Sequence, residues 1–599
     1  VALTGDWSID LTDLADPLAY VERKAREAMR TPDLGDPMAA YRWINARRDM
    51  VRQQAKQRPL MRLWDKNMNY IADIGGERSV VVEEVMADSG TANVVLRHDN
   101  YLSKFLLYDR RAEEDLHFTL DPNPTNRSWE TRWGGKITNA SAVRGEDGLH
   151  TVELEMIHNR EHLKHILAGA NPIFPPEIQL PKMWLLPWNI RTALGLTTFI
   201  NLARQFFPLL SIPTNIFNPG AWLGVYDVIG GLNPLLWPIQ VQFINPLFDQ
   251  SRTSVISSVW DDLHTISAGP MKDAGVMCRA YTWLTEDATS PHPELGKIGD
   301  AVARPHRNCV VLAFEDKSGV TGPTGTLLDG PINLIGATAD DMITESLVPL
   351  EIGDKDGDGK VDPFFRKLLG VAPAKPKVVF REGEHTGIVT AKRTIKGATA
   401  KTIHVGSKSP SIVNQLQTFA IKYGLSQLSA VITYVIGAYQ QPGTPGLEEL
   451  YQGQLDNTVL AWQRYTDIRR AILMGDFGFL EHRERGSGSA YTVAGVLDLR
   501  TGHHKTRAST SFKTTIRNGM PWSLDEHFTL GDRLAFQLGN TLHTDQLTGY
   551  RRSYDATNAM KIELSLGQEL DEDDPFASAM ATLATFWNAF GTLMTGDIF

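Results

Sequence analysis

Leu60-Met-Arg-Leu-Trp64, the polar Asp65-Lys-Asn-Met-Asn69 and Tyr70-Ile-Ala-Asp-Ile74 together read as a β-hairpin, two short apolar runs flanking a turn. Strand-like runs continue at Ser79–Met86, Ala92–Arg97, Arg132–Ala142 and His150–Ile157, with the β-branched and aromatic content of a half-buried pleated surface. His158–Ala168 predicts a short helix that stops at Gly169. Residues 59–169 therefore form a compact β-rich domain.

On either side of this unit the character of the chain changes several times. Upstream, Asp16-Pro17 and Asp36-Pro37 pair an N-cap carboxylate with proline at the first helical position, where no amide donor is needed, so residues 1–58 read as a helical arm. Residues 170–300 are rich in Trp and Pro, among them Trp184, Trp188, Trp222, Trp237, Trp260 and Trp283, which suits a rigid packing surface between neighbours. Residues 301–410 read as a loop-rich mixed domain with strands at Cys309–Phe314 and Val378–Arg381 and an acidic Gly turn between them. Helices are expected at Ser411–Tyr439 and Leu447–Leu473, within a helical segment 411–475 broken at Gln441-Pro-Gly-Thr-Pro-Gly446. Strands return at Tyr491–Leu499, Ala508–Arg517, Arg533–Leu538 and Met560–Leu566, making 476–568 a second β domain. Residues 569–599 close the sequence with Phe576, Met580, Leu583, Trp587, Phe590 and Met594 at heptad spacing, an amphipathic helix with one apolar seam.

Composition bounds what such a chain does. With 599 residues, 42% hydrophobic and 22% charged, it must bury several cores. A formal net charge of −10 argues against a nucleic-acid binder, which needs a basic excess to neutralise phosphates; the Arg- and Lys-bearing stretches Arg23–Arg30 and Arg42–Arg58 read as wet helix faces. Val1–Asp16 has neither a basic n-region nor an apolar h-region, so it does not read as a secretion signal. Val228–Phe248 carries no charge until Asp249 but is interrupted by Pro234, Pro238 and Pro246. It reads as buried or interfacial irregular chain and not as a membrane span. Cys278 and Cys309 could join in one bond, but two reduced, buried thiols are expected of a protein assembled in a bacterial cytoplasm.

Catalytic signatures are missing: no G-x-x-x-x-G-K-[ST], H-E-x-x-H or G-x-S-x-G occurs. The strongest metal motif is Asp354-Lys-Asp356-Gly-Asp358-Gly359-Lys360-Val361-Asp362. Oxygens from Asp354, Asp356, Asp358 and Asp362 and the carbonyl of Lys360 match the first nine places of an EF-hand loop. Phe365 replaces the bidentate Glu at position 12, so any Ca²⁺ held there would be structural and weak, or completed by a partner; the alternative is an acidic surface turn, with no cofactor. His158, His162 and His165 would share one face of an α-helix and could present three imidazoles to zinc, but their polar neighbours favour an exposed face. His503-His504 likewise reads as a solvent-facing turn, and Glu382 and Glu384 as residues beside a strand. The C-terminal seam reads either as a helix packed on its own domain or as a seam for self-association. A membrane-active peptide is disfavoured because the polar face lacks Lys and Arg.

Arg62-Leu-Trp-Asp-Lys-Asn-Met-Asn-Tyr-Ile-Ala-Asp-Ile-Gly75 and Asp88-Ser-Gly-Thr-Ala-Asn-Val-Val-Leu96 resemble the opening of the siphovirus Gp37-like minor tail proteins of actinobacterial, including mycobacterial, phages. Gln179-Leu-Pro-Lys-Met-Trp-Leu-Leu-Pro187, Val378-Val-Phe-Arg-Glu-Gly-Glu-His-Thr-Gly-Ile388, Asp456-Asn-Thr-Val-Leu-Ala-Trp462 and His527-Phe-Thr-Leu-Gly-Asp-Arg-Leu534 also resemble that family, in the same order. The resemblance implies a tail-tip or baseplate hub protein, located in the virion at the distal end of the tail. It implies β domains related to the tube protein (barrel or sandwich), and assembly as a homotrimer. Its partners would be other tail proteins (the distal tail protein, the tape measure protein and tail fibres) and the host cell envelope. The expected fold class is α+β, multidomain and β-rich, with helical insertions and terminal helices. The expected role is structural and not enzymatic: closing the tube and organising fibres for attachment and DNA delivery, without sequence-specific nucleic-acid binding. The alternatives are a peripheral receptor-binding tail protein and a tail-associated cell-wall or lipid hydrolase, which would need a cleft with paired carboxylates or a nucleophile beside its base.

Overall fold

The computed structural model describes residues 37–39, 41–43, 45–46, 57–111, 113–146, 148–171, 183–206, 233–296, 299, 302–339, 368–369, 376–383, 387–406, 462–484, 499, 502–503, 505–516, 522–539, 541–555 and 558–566. The first β unit comprises β1 (Leu60–Trp64), β2 (Tyr70–Asp73), β3 (Glu77–Val85), β4 (Thr91–Arg97), β5 (His117–Asp121), β6 (Trp133–Arg144) and β7 (His150–His158). β1 and β2 pair across Asp65–Asn69, where the Asp65 carboxylate accepts from the amides of Asn67 and Asn69 and fixes the turn locally. Alternation then sorts the strands. Val80, Val82, Val94, Leu96, Val152 and Leu154 are buried in one core with Leu63, Phe118 and Trp133.

The middle unit holds β8 (Trp184–Asn189), α1 (Ile190–Phe206), β9 (Ile239–Val241), β10 (Thr253–Ser258), α2 (Leu263–Ala274), β11 (Val276–Trp283), β12 (Cys309–Asp316) and α3 (Asp329–Ala339). α2 starts where Asp262 accepts from the Thr265 amide and stops at Gly275, which adopts φ 68°, a left-handed C-cap that glycine takes without strain. α1 and α2 cover a sheet of order β11-β12-β9 and the pair β8–β10. Here the uncharged run is more regular than its prolines suggest. After the 3-10 turn Pro234–Leu236, residues Ile239–Val241 add a parallel strand to β12; three residues are too few for a periodic signal.

The C-terminal unit contains β13 (Val378–Phe380), β14 (Ile388–Lys396), β15 (Thr402–Gly406), β16 (Trp462–Thr466), α4 (Ile468–Met474), β17 (Glu481–Arg483), β18 (Ser509–Ile516), β19 (Arg533–Leu538), β20 (Thr541–Asp555) and β21 (Asn558–Leu566). Phe380, Phe528, Phe536, Leu547, Ile562 and Leu564 form its core. The helix expected over Leu447–Leu473 is corrected at its described end. Trp462–Thr466 pairs antiparallel with β15, and a helix begins only after Asp467, whose carboxylate accepts from the Arg470 amide. Aromatic and β-branched residues gain cross-strand partners there that a helix would not give them. The rest of 407–461, the strand expected at Tyr491–Leu499 save Leu499, and 567–599 lie outside the described residues.

The class is the expected α+β, β-rich one, but the two β segments do not stand apart. β20 pairs with β3 from Gly549↔Val85 to Asp555↔Ser79. The N- and C-terminal strands therefore share one sheet, thirteen-stranded among the described residues, of order β14-β18-β21-β20-β3-β4-β7-β6-β5-β1-β2 with β13 and β19 joined beside β20. Among the described residues that sheet stays open and does not close into a barrel.

Candidate functional site

β11 is buried at all eight positions, and its pleat divides them between units, because successive side chains point to opposite faces. Val276, Cys278 and Ala280 join the helix-covered core. On the other face Met277 enters the C-terminal core, while Tyr281 and Trp283 pack with Trp129 of the first β unit. Arg279 shares that second face, and a buried guanidinium must find partners to offset its desolvation. Its Nε and a terminal nitrogen donate to the Glu84 carboxylate of β3 at 3.0 and 3.3 Å, and its other terminal nitrogen reaches Tyr281 Oη at 3.2 Å.

The network then crosses into the C-terminal unit. Tyr550 of β20 donates its hydroxyl proton to Glu84, Tyr281 donates to Glu315 of β12, and Arg552 pairs with Asp525. Lys317 bridges Glu315 at 3.3 Å and Asp532 at 3.2 Å, and Lys377 joins Asp532 at 2.9 Å. Burial alone would raise the Glu84 carboxyl, but the Arg279 charge and the hydrogen bonds from Arg279 and Tyr550 hold it at about 2. Burial also keeps His158 neutral: although Glu84 is near, its imidazole falls to about 4.

A second network joins the middle unit to the first. Arg132 donates to Asp121 at 2.8 Å and forks onto both oxygens of Asp287 at 2.7 and 3.0 Å, the planar match that makes arginine–carboxylate pairs strong. Arg62 shares Asp121 at 2.8 Å and reaches Glu286 at 2.6 Å. Between the units lies a cleft of about 400 Å³, with Trp129, Glu130, Arg191, Tyr281, Glu294 and Glu315 among its walls. Arg191 and Glu294, both on its wall, pair at 2.6 Å. Burial and the neighbouring Glu315 raise the Glu130 carboxyl. The core of this junction consists of charges committed to each other, with Glu84 ionised and His158 neutral at pH 7, an arrangement suited to holding units together more than to passing protons.

The residues singled out in the sequence fall elsewhere. Asp354, Asp356, Asp358, Lys360 and Asp362 lie outside the described residues, as do Phe576, Met580, Leu583, Trp587, Phe590 and Met594. His158, His162 and His165 do not share an exposed face. The turn is a 3-10 helix, Asn159–His165, in which i and i+4 diverge; His158 is buried as its N-cap against Trp133, and His165 is exposed. His503 is not purely solvent-facing either: its Nε2 lies 2.9 Å from Asp467 Oδ2, while His504 is outside the described residues. Glu382 accepts from the Gly539 amide at 2.5 Å; Glu384 is not described. Cys278 and Cys309 are free and buried. None of the charges at the junction carried a motif. The available signal was only Arg and Glu interrupting otherwise apolar strands, at Arg279 and Glu84.

Comparison with known proteins places this architecture. The family described as siphovirus ReqiPepy6 Gp37-like protein matches residues 60–568. The chain is 24% identical to minor tail protein Gp28 of Mycobacterium phage L5, over 93% of this chain and 97% of that protein. It is also 24% identical to minor tail protein Gp28 of Mycobacterium phage D29, over 92% and 97%. The 43 kDa tail protein of prophage MuSo2 from Shewanella oneidensis superposes with a TM-score of 0.34 at 8% identity, covering 87% of this chain and 99% of that one. With one family spanning residues 60–568 of the 599, the chain belongs to the siphovirus ReqiPepy6 Gp37-like proteins.

Proposed function

We propose that this chain is a structural minor tail protein of a phage virion, acting as the hub at the tail tip. Three copies would surround the axis, contact the distal tail protein and tape measure protein, and organise fibres toward the host envelope. The observation that carries this reading is the welding of three units through β11, the β3–β20 pair and the two buried charge networks. A subunit that transmits force needs to move as one body, and large rearrangements then occur at its interfaces with other subunits. The near-full-length alignment with two proteins named as minor tail proteins supports the same reading. The role is mechanical, with no bond chemistry assigned to the junction.

The experiment is a symmetry-resolved reconstruction of the intact particle's tail tip. Three copies around the axis would support the hub. A single-file peripheral position would replace it with receptor binding, and hydrolysis of envelope material by the purified chain would replace it with an enzyme.

A further inference from the structure

Met68 sits in the left-handed region, at φ 61°, where a residue bearing a Cβ is disfavoured roughly tenfold. The β1–β2 hairpin sets that demand. The Asp65 amide donates to the Asn69 carbonyl and the Met68 amide to the Asp65 carbonyl, both at 2.9 Å, so Lys66-Asn67-Met68 is a three-residue loop. Loops of this kind end on a left-handed residue, usually glycine. Asn67 and Asn69 tolerate that conformation better than methionine does, yet each stands one place away from it. The local sequence thus disagrees with the turn it forms, and the reason lies in what Met68 touches.

The middle unit supplies it. Met68 is 8% exposed and packs with Trp64, at the end of β1, and with Leu284, which is 1% exposed. The Asn308 side-chain amide donates to the Met68 carbonyl at 2.8 Å, and Arg307 donates to the Asn67 carbonyl at 3.3 Å. Leu284 and Asn308 are the residues just beyond the Trp283↔Cys309 pair that ends the β11–β12 ladder. The Asn308 carboxamide oxygen ties the two sides together by accepting from the Thr285 amide at 2.8 Å. The end of a paired ladder therefore grips the turn by side chain and by backbone. Glycine at position 68 would suit the backbone but leave the Leu284 contact empty. β2, which follows the turn, has only β1 as a strand neighbour among the described residues, and a hairpin's register is set by its turn.

We infer that Met68 is a sprung latch between the first β unit and the middle unit. Leu284 and Asn308 hold its turn in the left-handed form; when they withdraw, the turn relaxes and the β1–β2 ladder loosens with it. Closure of the junction is thereby coupled to the register of the hairpin. The coupling goes beyond the hub reading and does not rest on it, since it is read out on the isolated chain.

Amide hydrogen exchange on the full chain tests it. Asn308→Asp keeps the bond from the Thr285 amide and loses the donor to Met68. Exchange over residues 65–73 should then accelerate about tenfold, while β11 stays as protected as in the native chain. Adding Met68→Gly should return residues 65–73 to within about twofold of the native rate, because glycine takes the left-handed form unaided. Met68→Leu in the same background keeps a side chain and gives no relief, so it should restore nothing. Unchanged exchange over 65–73 in Asn308→Asp overturns the coupling. Acceleration that Met68→Gly fails to reverse, or that Met68→Leu reverses equally, overturns the strain and leaves an ordinary packing contact. Equal acceleration of 65–73 and of β11 overturns the latch as a local device.

Discussion

Arg279 and Glu84 meet side by side, guanidinium to carboxylate, from strands 195 residues apart in sequence. Each side chain has no more than 7% of its surface exposed. That pair binds the middle unit to the sheet, and Tyr550 adds the C-terminal unit to the same carboxylate. A contact with three owners couples their folding: losing Arg279 or Glu84 leaves the other a buried, unpaired charge, and losing Tyr550 removes a hydrogen bond from the buried carboxylate.

Arg279→Ala leaves Glu84 ionised without its main partner. The expected loss is about 3–5 kcal/mol, whereas replacing both residues by apolar ones of similar volume recovers most of it. Urea denaturation of Arg279→Ala, Arg279→Met and Glu84→Leu/Arg279→Met reads this directly. Equal destabilisation of the single and double variants would show that the pair's charge is not what matters.

Acid should loosen the junction in two stages. His158 is held at about 4 by burial, below the ~6.5 of a free imidazole. The unfolded chain therefore binds the proton first, and stability falls as pH drops from about 6.5 toward 4. Glu84 is held at about 2, so its contribution is complete above the ordinary carboxylate range near 4.3 and is lost as pH falls toward 2. Unfolding midpoints should decline through the first window in the native chain and decline less steeply in His158→Gln, by roughly 1–3 kcal/mol at the lower end. A slope unchanged by that substitution would remove His158 from the account.

Two glycines separate packing from backbone preference. A Cβ on Gly90 would lie 2.0 Å from the Glu83 carbonyl oxygen and 2.9 Å from the Glu84 Cα, backbone atoms that cannot move without disturbing β3. Gly148 has φ +78° and open space around it. Gly90→Ala should therefore cost several kcal/mol, and Gly148→Ala only about 1 kcal/mol from the left-handed φ. Thermal unfolding of the two variants should differ by many degrees; comparable shifts would contradict the steric argument.

The thiols should be silent in the native protein. Cys278 is level with Phe314 and Cys309 with Trp283 across the β11–β12 ladder. Five residues of strand, about 17 Å, separate the two cysteines, far beyond disulfide reach. Burial pushes the Cys278 thiol up to about 12 and raises Cys309 as well, so neither supplies thiolate at neutral pH. A thiol reagent should titrate both cysteines in denaturant and essentially none before unfolding; prompt reaction of the native chain would refute the burial.

The sequence by itself determined the local elements wherever one face of the chain meets a core and the other meets water. Val80, Val82, Val94 and Leu96 alternate inward, which made β3 and β4 legible, and Arg533–Leu538 was read with the boundaries that β19 has. It determined the order of family-like segments as well. The tertiary structure alone decided how those elements join. β20 contains Asp545, Arg551, Arg552 and Asp555 among few large apolar residues, so no period announced a strand, yet its pairing with β3 fuses two apparent domains. β11 is buried on both faces, so its Arg279 and Tyr281 depend on Glu84, Glu315 and Tyr550 for their partners. Hydrophobic periodicity records which face of a segment leaves water; it holds no record of which distant partner receives a hydrogen bond or neutralises a charge, and that information exists only once the chain has folded.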